Sequence, residues 1–280
     1  MAKAFSVVSW NVKHFGAKGT KKEPEKDVPT VIDYLASHNA DVVAVYEVVG
    51  ARVFHCIVDK MPEYNWHITE GPQLQEILIG VKRRLSSFLT QKLEFKSGVS
   101  TLRPGVLLTV VVDQKKYPLL FLHLKSFANP RGYGLRDDML QKAIDFRKTL
   151  NKVNSSNDPV NYLFLGDLNT MGMNLTYNDN DLSGEDELER LRRRLNVKSV
   201  GMDILSKKHD VTWWPGSSGA LPPSNLDHVV AAKHLEFRQF SGNSVDVRGW
   251  VEEGSDSAKD NWVKKYSDHA LLYFEVQKVS

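Results

Sequence analysis

The sequence predicts an α/β layered domain, with sheets covered on their faces by helices. Two observations carry this. Apolar, β-branched segments of strand length recur along the chain, and segments with helical periodicity separate some of them while short polar links join others. Strands are read at 4–10, 41–46, 64–69, 75–82, 105–113, 117–124, 160–165, 226–232 and 269–277. The five residues DQKKY between 112 and 118 mark an antiparallel hairpin. Helices are read at 30–38, 51–61, 135–152 and 184–195. Strands in hairpins and strands separated by helices together require layers of both kinds. No Pro/Gly/Ser stretch is long enough to divide domains, so residues 1–280 are read as one domain. The polar stretch 16–29 reads as a surface loop.

Composition bounds the function classes. With 41% hydrophobic and 25% charged residues in 280, the chain is ordinary for a globular protein. A net charge of +3 permits a polyanionic partner without demanding one. Cys56 is alone, which excludes an intramolecular disulfide and favours a reducing compartment. It falls in ARVFHCIVDKM, read as a helix with Val53, Phe54, Ile57, Val58 and Met61 inward, so a structural thiol is expected. No apolar run approaches the ~20 residues of a membrane span. The chain passes from Met-Ala-Lys directly into a strand, so a cytoplasmic, monomeric protein without membrane contact is expected; a trimmed secreted chain would begin the same way.

The informative feature is what stands at the strand ends. YLFLGDLNT, residues 162–170, runs from an apolar strand into Asp167 and Asn169, two apart, a spacing that puts both on one side of an extended chain. Asn11 follows FSVVSW, Glu47 ends DVVAVYE, His123 sits in LFLHLKS, Asp227 opens a strand, and Asp268 and His269 precede ALLYFEV. Each alone is ordinary turn or cap chemistry. Together they would be expensive to bury singly, and a hard cation such as Mg²⁺ removes that cost by binding carboxylate, amide and water oxygens. Histidines add proton transfer near neutral pH. Acids, amides and histidines without a nucleophilic Ser or Cys fit metal-assisted hydrolysis of a phosphate ester.

In that order, SWNVKHFG, DVVAVYEV, LHLKSF, FLGDLNT, NLDHVVA and SDHALLYFEV resemble the motifs of the endonuclease/exonuclease/phosphatase superfamily, from about residue 5 to 276. The resemblance implies a four-layer α/β sandwich of two packed mixed sheets flanked by helices. It implies Glu47 as principal Mg²⁺ ligand, with Asn11 and Asp268 completing or supporting the site, and Mn²⁺ or Ca²⁺ as substitutes. Asp167 and Asn169 would orient the attacking water and hold the phosphate. His269 would be the base or phosphate-binding histidine, partnered by Asp227. His123 resembles the second histidine of the pancreatic-deoxyribonuclease branch, which protonates the leaving oxygen, and Glu76 the carboxylate that orients it. His228 follows Asp227 on a strand, so alternation sends it to the opposite face, as a structural histidine.

His123 replaces the Tyr-containing motif of abasic-site endonucleases, which moves the chain toward the deoxyribonuclease, sphingomyelinase and inositol-phosphatase branches. HDVTWWPG at 209–216 instead resembles the tryptophan loop that abasic endonucleases place by the nucleotide, and Trp213 or Trp214 could stack on a base. Lys125, Arg131 and Arg136, in a glycine-bearing loop after His123, could hold backbone phosphates. DNDLSGEDELER at 179–190 opens like a calcium loop, but Arg190 takes the place of its bidentate Glu, and Ser183 with Asp186 reads as a capping box. The sequence thus leads to an Mg²⁺-dependent phosphodiesterase, foremost a DNA endonuclease of little sequence specificity. RNA, inositol phosphates and sphingomyelin-type esters are the alternative substrates, and a catalytically silent binding protein on the same fold is the rival of another class.

Overall fold

The computed structural model describes residues 2–20, 25–154, 158–176 and 180–279. The middle of the polar 16–29 stretch and Asp179, the first residue of the calcium-like segment, lie outside the described residues. Two six-stranded sheets form the body. The first runs in the order β11 (Asp246–Arg248), β12 (Leu271–Gln277), β1 (Lys3–Phe15), β2 (Val42–Val48), β4 (Glu76–Lys82), β3 (Tyr64–Ile68). The second runs β5 (Ser86–Lys92), β6 (Gly105–Val112), β7 (Lys115–His123), β8 (Leu163–Asp167), β10 (Asp227–Ala232), β9 (Met202–Ile204). Each sheet has one parallel pair at its centre, β1 with β2 and β7 with β8, and antiparallel neighbours outside it. A parallel pair needs a crossover, and helices α1 (Val28–Ser37) and α3 (Pro130–Val153) supply the two.

Alternation along these strands builds three apolar layers. Phe5, Val7, Ala44 and Tyr46 from the first sheet meet Leu119, Phe121, Leu165 and Val229 from the second, which forms the core between sheets. The opposite face of the first sheet, with Val8, Trp10 and Val43, is covered by α1 and α2 (Ala51–Lys60), and Trp262 of α5 (Asp256–Lys265) packs there too. Leu120, Leu122 and Val230 of the second sheet pack under α3 and α4 (Gly184–Leu195). Helices, sheet, sheet and helices give the expected four-layer sandwich of mixed sheets. Among the described residues no helix is long and apolar enough to cross a membrane. In α2, Val53 and Ile57 are buried but Val58 is exposed, and Cys56 is half-buried.

Helix α3 starts five residues earlier than its apolar spacing indicates. Asn129 caps it by accepting from Gly132 N at 2.7 Å, and Pro130 has the fixed φ that suits a first turn. Arg131 and Arg136 therefore lie on a helix and not in a loop, and Arg136 is a correction. Its side chain is wholly buried, and all five of its N–H groups are satisfied. They go to both Glu187 oxygens at 3.0 and 2.9 Å and to the carbonyls of Lys125, Phe127 and Gly172. Arg136 binds no substrate phosphate; it ties α3 and α4 to the loops behind the strand ends. Removing one partner strands the other charge in the interior. Arg136→Met and Glu187→Met are each expected to cost about 3–5 kcal/mol in urea unfolding, and the double variant less than either.

Candidate functional site

The two parallel pairs end side by side, and their carboxyl ends present the polar residues. Asn11 is near the end of β1, Glu47 near the end of β2, His123 ends β7 and Asp167 ends β8. The antiparallel neighbours begin where those strands finish, so Asp227 of β10 sits in register with Asp167, and His269 precedes β12 beside the end of β1. Ser267 Oγ donates to the Asn11 carbonyl at 2.7 Å and Trp10 Nε1 to the His269 carbonyl at 2.8 Å, which fixes that approach.

Asp167 is the meeting point, with 1% of its surface exposed. Its Oδ2 accepts from Asn11 Nδ2 at 2.8 Å and lies 3.5 Å from His123 Nε2 and 3.9 Å from His269 Nε2. Gly166 makes this packing feasible. Its φ is +133°, and a Cβ there would strike the Leu122 carbonyl and come within 2.6 Å of the Tyr46 hydroxyl. Asn169 differs from expectation in how it reaches the site. The chain does not stay extended: Asn169 is left-handed at φ +51°, its N–H donates to Asp167 Oδ1 at 3.0 Å and its side chain to the Leu124 carbonyl at 3.2 Å.

Glu47 occupies a β-bulge with φ +62°, a conformation an ordinary residue adopts at a cost of about 1–3 kcal/mol. The carboxylate so presented is gripped from three sides. Oε1 accepts from Asn11 Nδ2 at 3.1 Å, and Oε2 from His14 N at 3.1 Å and Gln75 Nε2 at 2.7 Å. His123 Nε2 is 3.7 Å from Oε1.

Electrostatics separate the two histidines. His269 Nδ1 lies 2.9 Å from Asp227 Oδ2, and although burial opposes its charge, Asp227 and Asp167 raise its pKa to about 10. It is an imidazolium held by an acid. His123 is equally buried and has no such partner. Burial, then Arg103 and His269, push it well below its ordinary value. Burial also raises Asp167, with Asp227 adding to the rise and His269 opposing it.

Several expected roles change. Glu76 does not orient His123: it accepts from Thr69 and from Gln73 Nε2 at 2.7 Å, and among the described residues His123 Nδ1 has no hydrogen-bond partner. Asn11 holds the two acids by its amide, while its Oδ1 accepts from Lys13 N at 2.9 Å, so it supports the ligand carboxylates. Asp268 pairs with Lys13 at 3.1 Å, outside the compact acid groups, because it and His269 diverge at the loop–strand joint. Trp214 is committed elsewhere: its indole donates to Asp260 at 2.8 Å, Lys259 lies over its ring and Trp250 is 5.7 Å away. Trp213 is half-buried, its backbone bridged to that of His269. Lys125 lies over the exposed Phe127 ring, and Arg131 is exposed.

Sequence reasoning missed Gln75, His14 and Arg103. The first two hold Glu47 and carry no distinguishing pattern. Arg103, in LRPG, is a mostly buried cation whose charge acts on Glu47, Asp167 and His123. Its Nε lacks a partner among the described residues, and its one unusual mark is a cation directly before Pro-Gly. Lys207 lies beneath, donating to the Asp227 carbonyl at 2.7 Å.

The acids fit a divalent cation. Among the described residues two groups place ligand atoms within 4.8 Å of one another, Glu47–His123–Asp167 and Asp167–Asp227–His269. The first offers two carboxylates and an imidazole, the hard oxygen donors a divalent cation takes, and its nearest charged histidine, His269, lies 3.9 Å from Asp167. In the second, His269 sits between Asp167 and Asp227 and offsets part of their charge.

His228 faces away from this site, as alternation requires. It is buried, with Nε2 2.9 Å from Thr170 Oγ1 and 3.1 Å from the Asn225 carbonyl, and burial holds it neutral well below pH 6.5. Below about pH 6.5 the unfolded chain takes up a proton that the native state refuses, so stability present at neutral pH is lost on acidification. Between pH 7 and 5 this one group is expected to remove about 2 kcal/mol. Chemical denaturation in EDTA at both pH values checks it, with His228→Asn giving the flatter profile.

No family model matches the sequence, and no curated protein matches it either. Solved structures do match, each over 98% of this chain. Truncated TDP2 from Caenorhabditis elegans is 16% identical with a TM-score of 0.66, covering 98% of that chain. TDP2 from D. rerio, in complex with a single-strand DNA product, is 18% identical with a TM-score of 0.62 over 98% of its length. An endonuclease/exonuclease/phosphatase from Bacteroides vulgatus is 11% identical with a TM-score of 0.62 over 99% of its length. The chain has the endonuclease/exonuclease/phosphatase fold.

Proposed function

We propose that this chain is a divalent-metal-dependent phosphodiesterase that cuts nucleic acid, DNA foremost, as an endonuclease of little sequence specificity. The observation that carries this is the convergence of Glu47 on one side, and of the His269–Asp227 pair on the other, around the buried Asp167 carboxylate. Glu47, with Asn11 beside it, would hold the cation, Mg²⁺ foremost. When bound it supplies neutralisation of phosphate charge and a lowered water pKa.

The chain's own groups divide the rest. Asp167 accepts a proton from the attacking water, a task suited to a carboxylate whose affinity for protons burial has raised. Asn169 steadies the phosphate beside it. His269, kept charged by Asp227, pairs with a phosphate oxygen and stabilises charge as the bond breaks. Arg103 adds a second cation facing the same acids. His123 lends a neutral nitrogen next to Glu47. The single-strand DNA product bound by the D. rerio neighbour on this fold supports nucleic acid as the substrate class. A stacking role remains for Trp213 alone of the tryptophan pair.

Purified protein with Mg²⁺ is expected to convert supercoiled plasmid to open circles. EDTA should abolish this, and Asp167→Ala should reduce it by at least about 10²-fold. Absence of conversion by folded protein overturns the endonuclease assignment. Separately, Mn²⁺ titration by calorimetry is expected to show one site whose affinity falls more than about 10-fold in Glu47→Gln.

A further inference from the structure

We infer that a lysine-rich pocket beside Glu47 binds a second phosphate of the substrate, next along the strand from the scissile one, an inference that rests on the phosphodiesterase reading above. The pocket holds about 420 Å³, within the range of small-ligand sites. Its charged lining is Lys13, Lys18, Lys26, Lys264, His14 and Asp268. Among the described lining residues, Lys18 and Lys264 add two ammonium groups beside the Lys13–Asp268 pair. Lys18 and Lys264 are exposed and make no salt bridge with a described residue.

The pocket is built by the same distortion that builds the catalytic cluster. After Asn11, β1 loses its register with β2, and Lys13, His14 and Gly16 take φ values of +29°, +53° and +89°. Gly16 cannot be replaced at no cost, since a Cβ there would clash with Val53 and the Val49 carbonyl. The curl turns the His14 amide onto Glu47 and sends the Lys13 side chain to Asp268. Lys26 arrives from the segment before α1 and donates to the Lys13 carbonyl, while Lys264 arrives from the last turn of α5. Solvated surface lysines are ordinarily spread on convex ground. Here Lys18 and Lys264 come from two segments into one hollow, where an anion relieves their mutual repulsion.

Position and chemistry select the anion. His14 and Asp268 belong both to this pocket and to the margin of the catalytic cluster, so the ligand extends from the scissile phosphate. Asp268 Oδ1 is buried without a hydrogen-bond partner among the described residues, which leaves an acceptor at that junction for a ligand hydroxyl or bound water. Lysines suit phosphate as point charges and impose no base preference. Ala17 and Val263 provide apolar wall for a sugar. The phosphate could come from the next unit of a polynucleotide or from a polyphosphorylated small molecule, and one experiment distinguishes them.

Binding of a short fluorescein-labelled oligothymidylate is measured by anisotropy in EDTA, so that no turnover is needed. Lys18→Ala/Lys264→Ala is compared with wild type and with Lys116→Ala/Lys152→Ala, exposed lysines at the far end of β7 and of α3. The pocket variant is expected to bind at least about tenfold more weakly, with a salt slope lower by roughly one to two, and the control pair to stay near wild type. Charge reversal, Lys18→Glu/Lys264→Glu, should weaken binding further, with unchanged melting curves showing that both variants fold. Inositol hexakisphosphate that displaces the strand from wild type better than strand of equal charge identifies the small-molecule source; weaker displacement identifies the polynucleotide. Equal binding by pocket variant and wild type, or equal loss in the control pair, overturns the inference. Failure of plasmid nicking alongside pocket-dependent binding would instead remove the catalytic reading and leave the pocket standing.

Discussion

Burying the Asp167 carboxylate is the constraint around which this molecule is arranged. A lone ionised acid at 1% exposure would be expensive, and its pKa is raised accordingly. The fold answers with the Asn11 amide in hydrogen-bond contact and the His269 charge a few ångströms away, itself stabilised by Asp227. Those groups come from both sheets, so the acid can be accommodated only when the two sheets are packed together. Local chemistry and global packing are therefore one problem here.

The sheet topology explains why the site is where it is. Each sheet places a parallel pair at its centre, and strands of a parallel pair finish at the same end. Stacking two such sheets brings four strand ends into one small region, and antiparallel neighbours begin there. Glu47, Asn169, Lys13, His14 and Gly166 at that end all have positive φ. The paired strands behind them give these strained residues something stiff to be held by.

The elements legible in the sequence were those whose burial is periodic. Strands β1, β2, β3, β4, β6, β7, β8, β10 and β12 and helices α1 to α4 announce themselves because one or both faces are apolar. The elements that were not legible lack that signal. β5 is an edge strand, SSFLTQK, with no wholly buried side chain, and β9 and β11 are three residues each. In α5 no side chain is fully buried; Trp262 and Val263 anchor a helix that is otherwise polar. The strand-end acids and histidines were visible as a set, but their partners were not. Glu76 lies one residue from Gln75, and only coordinates distinguish the side chain that grips Glu47 from the one that turns to Thr69. Arg136 looked like a phosphate ligand because sequence shows charge without showing Glu187 across the helix layer.

The left-handed backbone of Glu47 has an evolutionary consequence. Glycine or asparagine would sit at φ +62° with less strain, yet neither supplies the carboxylate. Selection for folding alone would therefore drift away from glutamate at this position, and retention of the acid has to be maintained against that drift. A copy of this chain released from its chemical task would be free to grow more robust by losing the residue that defined the task.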